Sequence, residues 1–145
     1  MQRFFLFIFL TSFLFIPKVQ SAHIIGGMMS YEFISTSNGI NKYRITIRVF
    51  RDCQSQGADF DSNAGVSIAT ADGKYIKTNE NFSNPTKSNL TNLFSNPCLV
   101  LPPNVCVQEG VYTKTIDLPV INQSYYIIYQ RCCRNNSIFN IMNPG

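Results

Sequence analysis

Tyr125-Tyr126-Ile127-Ile128-Tyr129-Gln130-Arg131-Cys132-Cys133-Arg134-Asn135-Asn136 is the stretch around which the sequence reads as organised. Its first five residues are all bulky types favoured in strands. Apolar side chains fall on both faces of that half, which suits a central, covered strand rather than an edge. The second half changes character at once. Two cysteines sit between two arginines, and Asn135-Asn136 is a turn signal. The expectation is a buried strand running into a cysteine pair at a sheet end. The other strands pack on it, and disulfides tie its end to them.

Upstream, the clearest strand pattern is Lys42 to Arg51. Tyr43, Ile45, Ile47 and Val49 alternate with Arg44, Thr46 and Arg48. A period of two puts one face on a core and the other in water. Met28 to Ile34 reads as the strand before it, joined through Asn38-Gly39, a favoured hairpin turn. Gly26-Gly27 reads as a bend or bulge. Beyond Cys53, Gln54 to Ala64 is a polar loop. Val66 to Thr70 and Lys74 to Lys77 form a second hairpin about Asp72-Gly73. Asn79 to Pro97, rich in Asn and Ser, reads as a long excursion with one irregular strand. Val111 to Leu118 is a further strand, stopped by Pro119, and Ser137 to Met142 begins one more. The pattern predicts an all-β chain of about seven or eight short strands, with no amphipathic helix and no internal repeat. That is an antiparallel β-sandwich, immunoglobulin-like in architecture.

The N-terminus stands apart. Arg3 precedes Phe4 to Ile16, apolar except for Thr11 and Ser12, and Pro17 ends the run. This matches a signal peptide and is too short for a membrane span. Small residues at Ser21 and Ala22 place cleavage after Ala22, and the same rule also admits cleavage one residue earlier. Residues 1–22 are thus read as a signal peptide, and 23–145 as one β-sandwich module, expected to be incomplete at its C-terminus. Of twelve basic side chains, removing Arg3 and Lys18 leaves ten against eight acidic ones. They are scattered, which is a solvated surface and not a nucleic-acid patch. No second long apolar run follows, so no transmembrane segment is expected in the exported chain.

Export makes disulfides plausible, and all five cysteines lie beyond the signal: Cys53, Cys98, Cys106, Cys132 and Cys133. An odd count leaves one without a partner among the five. Spacing favours Cys98 with Cys106, a short proline-bearing loop whose closure would stabilise by about 2.5 kcal/mol. Cys53 is then expected to pair with Cys132 or Cys133, which face opposite sides of a strand. Proteolysis without reduction followed by mass spectrometry reads these bonds directly. Zinc, a Cys-x-x-Cys redox pair and a catalytic thiol all fit poorly, because the cysteine spacing is wrong and His23 is the sole histidine.

Asp59, Asp61 and Asn63 place oxygen ligands at alternate positions, as a calcium loop does. Ala64 then stands where an EF-hand needs glycine, and Thr70 where it needs glutamate. They are kept as a weak calcium candidate, with a solvated loop as the simpler account. A copper site on His23 lacks a second histidine. Asn81, Asn89, Asn122 and Asn135 begin Asn-x-Ser/Thr triplets, which matter only in a host that glycosylates. No catalytic set and no cofactor site is read.

Several motifs in order resemble a known module. They are His23-Ile-Ile-Gly-Gly27, Tyr43-Arg44-Ile45-Thr46-Ile47 running into Arg51-Asp52-Cys53, Asn96-Pro97-Cys98, Cys106-Val-Gln-Glu-Gly-Val-Tyr112, and Tyr129-Gln-Arg-Cys-Cys-Arg-Asn135. Together they look like the N-terminal module of large secreted surface proteins of gliding Bacteroidota. Such proteins often carry PKD-like repeats and a gliding-motility or type IX sorting domain; neither is seen in these 145 residues. The resemblance implies a secreted, cell-surface location, a link to gliding or attachment, and a continuing chain. The expected function is a non-enzymatic structural or adhesive module whose partner is a protein or glycan at the cell surface. The alternatives are a secreted carbohydrate-active or other hydrolase, or a small disulfide-stabilised binding or inhibitor protein.

Overall fold

Two glycine-bearing turns each close a hairpin, and the remaining pairings join segments far apart in the sequence. A computed structural model describes residues 24–55, 57–90 and 105–131, and within them no helix forms. The strands are β1 (Ile24–Ser37), β2 (Ile40–Asp52), β3 (Asn63–Thr70), β4 (Tyr75–Ser83), β5 (Thr86–Asn89), β6 (Val107–Pro119) and β7 (Tyr125–Tyr129). They form two antiparallel sheets, one in the order β1-β2-β6-β5 and the other β4-β3-β7.

β1 and β2 meet at Asn38-Gly39, with φ of 51° and 73°. Both angles are positive, as a tight hairpin turn of matching twist requires. A register shift between Ile24 and Gly26 confirms the expected bulge. β3 and β4 are joined through Asp72-Gly73. Gly73 takes φ of 83° and donates its N–H to the Thr70 carbonyl at 2.9 Å, while the Thr70 hydroxyl bonds the Asp72 carboxylate.

Ile45, Ile47 and Val49 of β2 are buried, as their alternation requires. They meet Tyr112, Ile116 and Leu118 of β6 on their own sheet, and Ala64, Val66, Ile68 and Phe82 of the other. One core therefore lies between two sheet faces, a sandwich arrangement. On the outer face β2 is matched by polar partners. Arg44 bonds Glu32 at 2.7 Å, Lys42 faces Asp117 at 3.7 Å, and Arg48 reaches the buried Glu109 at 3.0 Å. Cross-strand pairs of this kind contribute a few tenths to about 1 kcal/mol each.

Three readings need correction. Tyr125–Tyr129, expected to be central, stands at a sheet edge among the described residues: there β7 pairs with β3 alone, and the middle positions belong to β2, β6 and β3. Tyr125, Ile127 and Tyr129 pack on the core, whereas Tyr126 turns outward and is 56% exposed. Tyrosine carries a polar tip that tolerates water, so a count of aromatic residues overstates burial. Residues 79–90 also hold more strand than the one irregular strand expected of that excursion. β4 continues to Ser83 past Asn79, whose φ of 55° marks an irregularity, and β5 follows. β5 is an edge strand with every residue exposed, so it carries no apolar pattern to find. Finally, the strands are longer than read, with thirteen residues each in β2 and β6. Ser137 to Met142 lies outside the described residues.

Two inward positions depart from apolar packing. Lys114, opposite Ile45, reaches across the sandwich to Glu80 of β4 at 2.7 Å and to the Asn81 carbonyl at 3.1 Å. The Lys114 bond first, then Lys77, holds the Glu80 carboxyl below its usual range. Gly110 leaves room for Phe60, since a Cβ there would lie 2.8 Å from the ring.

Two outcomes follow for stability. Gly110→Ala should cost about 1–3 kcal/mol by forcing Phe60 aside; urea unfolding reads this, and an unchanged midpoint would show that the loop yields freely. Because the Glu80 value is depressed on folding, its stabilisation is present above the ordinary carboxylate value of 4.5 and fades as pH falls through the folded value. Lys114→Met should therefore lose about 1 kcal/mol at pH 6, and lose less than the parent does between pH 6 and pH 3. Equally steep acid loss in both proteins would remove the pair from the account.

Candidate functional site

Chemistry-bearing side chains gather where β2 ends and β6 begins. The register pairs Asp52 with Val107, so the next residues outward, Cys53 and Cys106, stand opposite one another. They form a disulfide with Cα atoms 5.3 Å apart, a separation that suits the bond. The Cys53 N–H also donates to the Cys106 carbonyl at 3.1 Å. This corrects the expected pairing of Cys98 with Cys106, and of Cys53 with Cys132 or Cys133. Two segments 53 residues apart in sequence are neighbours in the sheet, and local spacing cannot show that. Cys98, Cys132 and Cys133 lie outside the described residues, as do His23 and Asn135.

The polar loop folds over this end. Phe60 is buried against Gly110, with the Arg51 guanidinium 5.6 Å from the centre of its ring. Arg51 also donates to the Ala58 carbonyl at 3.1 Å and to Asp59 at 3.2 Å. Asp59 accepts from Lys87 of β5 at 2.5 Å and from the Phe60 N–H at 2.7 Å. The Lys87 hydrogen bond, then the Phe60 amide, holds the Asp59 carboxyl below its ordinary range. Asp61 accepts from Arg131, just past β7, at 3.1 Å. The Tyr112 hydroxyl donates to the Asp61 carbonyl at 2.8 Å. Burial of that phenol, foremost, raises its pKa to about 12.

Asp59, Asp61 and Asn63 are therefore not gathered around one point. Asp59 faces Lys87 and Arg51, Asp61 faces Arg131, and Asn63 opens β3 opposite Ser83. No group of three or more His, Cys, Asp or Glu side chains suited to a metal occurs among the described residues. The first two positions serve as anchors for the loop. Asn81, Asn89 and Asn122 all lie exposed.

A second surface was not legible in the sequence. Met29, Tyr31 and Phe33 of β1 lie opposite Ile47, Ile45 and Tyr43, and so share the inward face of their sheet. Yet Tyr31 is 70% exposed and Phe33 53%. Both rings meet Tyr43 edge-on, at 6.1 and 5.7 Å between centres. Among the described residues, nothing covers this aromatic cluster, which lies on the side of a sheet that elsewhere holds the core. Neither alternation nor composition separates a covered inward face from an uncovered one.

No helix among the described residues is long and apolar enough to cross a membrane. Comparison of the chain with protein-family models, with curated proteins and with solved structures finds no match.

The disulfide has a direct test. Peptide mapping without reduction should recover Cys53 linked to Cys106; a Cys98–Cys106 peptide would overturn it. Replacing both residues by serine should cost about 4 kcal/mol on the chain-entropy account, read as a lowered denaturation midpoint.

Proposed function

We propose that this chain is a non-enzymatic extracellular module of immunoglobulin-like order, with a structural or adhesive role at a cell surface. The strand order supports the architecture. With β1 to β7 in chain order, β1-β2-β6-β5 and β4-β3-β7 correspond to the two sheets of that fold, lacking its last strand among the described residues. The hydroxyl of Tyr125, at the start of β7, bonds the Pro119 carbonyl at the end of β6. This bond supports the reading, since a tyrosine corner at the same place is a feature of such sandwiches. Two features differ from antibody domains: the chain has no tryptophan, and its disulfide joins neighbouring strands of one sheet.

The observation that carries the functional reading is how the charged groups are used. Lys114 and Glu80 join the sheets, Arg51, Lys87 and Asp59 pin the loop, and Arg131 ties Asp61 to the end of β7. The Asp59 and Glu80 carboxyls are held low by these partners, whereas a general acid needs a raised value. A disulfide and ion pairs spent on bracing suit a load-bearing or recognition module in an oxidising compartment.

The motifs that resemble secreted Bacteroidota surface proteins fit together here. Arg51-Asp52-Cys53 and Cys106 to Tyr112 lie side by side, and Tyr129 to Arg131 returns to the same end. On this reading the module belongs to such a protein, is exported by a signal peptide, and presents its surface to a protein or glycan.

Screening the purified protein against glycan arrays and hydrolase substrates tests the reading. Binding without turnover is expected. Turnover lost on Asp61→Asn or Glu80→Gln, with folding retained, would establish the rival secreted hydrolase instead.

A further inference from the structure

Four strands stand opposite three in the described residues, and the mismatch falls on one side. β4 passes to β5 through Asn84 and Pro85 alone, so those two edges lie together. Lys114 of β6 reaching Glu80 of β4 places the same side. β7 is therefore at the opposite side, toward β1, and a strand added beyond β7 would face β1. Two unfulfilled surfaces meet there. β7 has a ladder to β3 along one edge, and none along the other among the described residues. Met29, Tyr31 and Phe33 of β1 turn their side chains toward the place that strand would take, and remain exposed.

We infer that this is a strand-receiving slot, and that its occupant is the chain's own segment Ser137–Met142. Fourteen residues follow Arg131. Asn135-Asn136 supplies the turn back along β7. Six residues from Ser137 to Met142 extend about 20 Å, enough to run beside the five-residue β7. Phe139 and Ile141 fall on one face, whereas Asn140 sits amid the other face between Ile138 and Met142. Phe139 and Ile141 therefore turn inward, onto Tyr31, Phe33 and Tyr43. Pairing satisfies the β7 edge while the same strand covers the aromatic cluster, so both surfaces are resolved by one element. The inference rests on the immunoglobulin-like order proposed above, and not on the adhesive role.

Tyrosine nitration by tetranitromethane, mapped by peptide mass spectrometry on the full chain from a secreting host, tests it. Tyr112, buried in the core, reports on the sandwich itself, and Tyr75, exposed at the other side, sets the unprotected rate. Tyr31 should react about tenfold more slowly than Tyr75 in a monomer. Phe139→Asp with Ile141→Asp should bring Tyr31 to the Tyr75 rate, while Ile138→Asp with Met142→Asp leaves it protected. Tyr31 reacting as fast as Tyr75 while Tyr112 stays protected overturns the slot and leaves the sandwich standing. A reactive Tyr112 overturns both. Protection of Tyr31 only in a dimer gives the slot to a second copy and overturns the assignment. Hydrogen exchange on the unsubstituted chain does not depend on any variant folding. Slow exchange of β7 amides on both edges is expected, and fast exchange along the edge away from β3 counts against the inference.

Discussion

The ladder between β2 and β6 is the constraint on which the rest of this structure depends. It runs without a break from Ile40 opposite Pro119 to Asp52 opposite Val107. Because the register is continuous, each inward residue of β2 lies beside an inward residue of β6, and together they form the floor of the core. A slip of one residue would turn Ile45, Ile47 and Val49 into water and Arg44 and Arg48 into the core. The register also decides the disulfide, since Cys53 and Cys106 are the first pair beyond its end. The bond locks the ladder at that end, and the Val120 N–H bonded to the Gly39 carbonyl at 2.8 Å closes the other.

Polar groups are arranged around that ladder by position. Those on the outer face pair across strands in solvent, where each contributes little alone. Those on the β4–β5 side of the sandwich, Lys114 and Glu80, are partly shielded and join one sheet to the other. Those at the disulfide end hold a loop that would otherwise have only Phe60 to bury. The Phe60 anchor needs a glycine beneath it, so the identity of Gly110 follows from a residue fifty positions earlier.

Much of the fold was legible locally. The alternation in Lys42–Arg51 marks a half-buried strand, and Asn38-Gly39 and Asp72-Gly73 mark hairpins, because each depends on the geometry of a few adjacent residues. β5 was not legible, since an exposed edge strand has no buried face to leave a periodic trace. β7 reads as central yet lies at an edge among the described residues, because tyrosine serves both core and surface and does not tell the two apart. At the candidate site the residues were visible but their partners were not. Asp59 and Asp61 read as possible ligands, yet their neighbours Lys87 and Arg131 come from distant strands.

The sequence by itself determined the strand class, the turns, the inward residues of β2 and the presence of cysteines able to form a staple. These rest on periods of two and on backbone preferences, which act over a few residues. Tertiary structure alone decided which strands neighbour one another, which cysteine meets Cys53, and which inward face the described residues leave uncovered. Those depend on contacts between residues tens of positions apart, whose closure follows from the register of whole sheets and not from any local pattern.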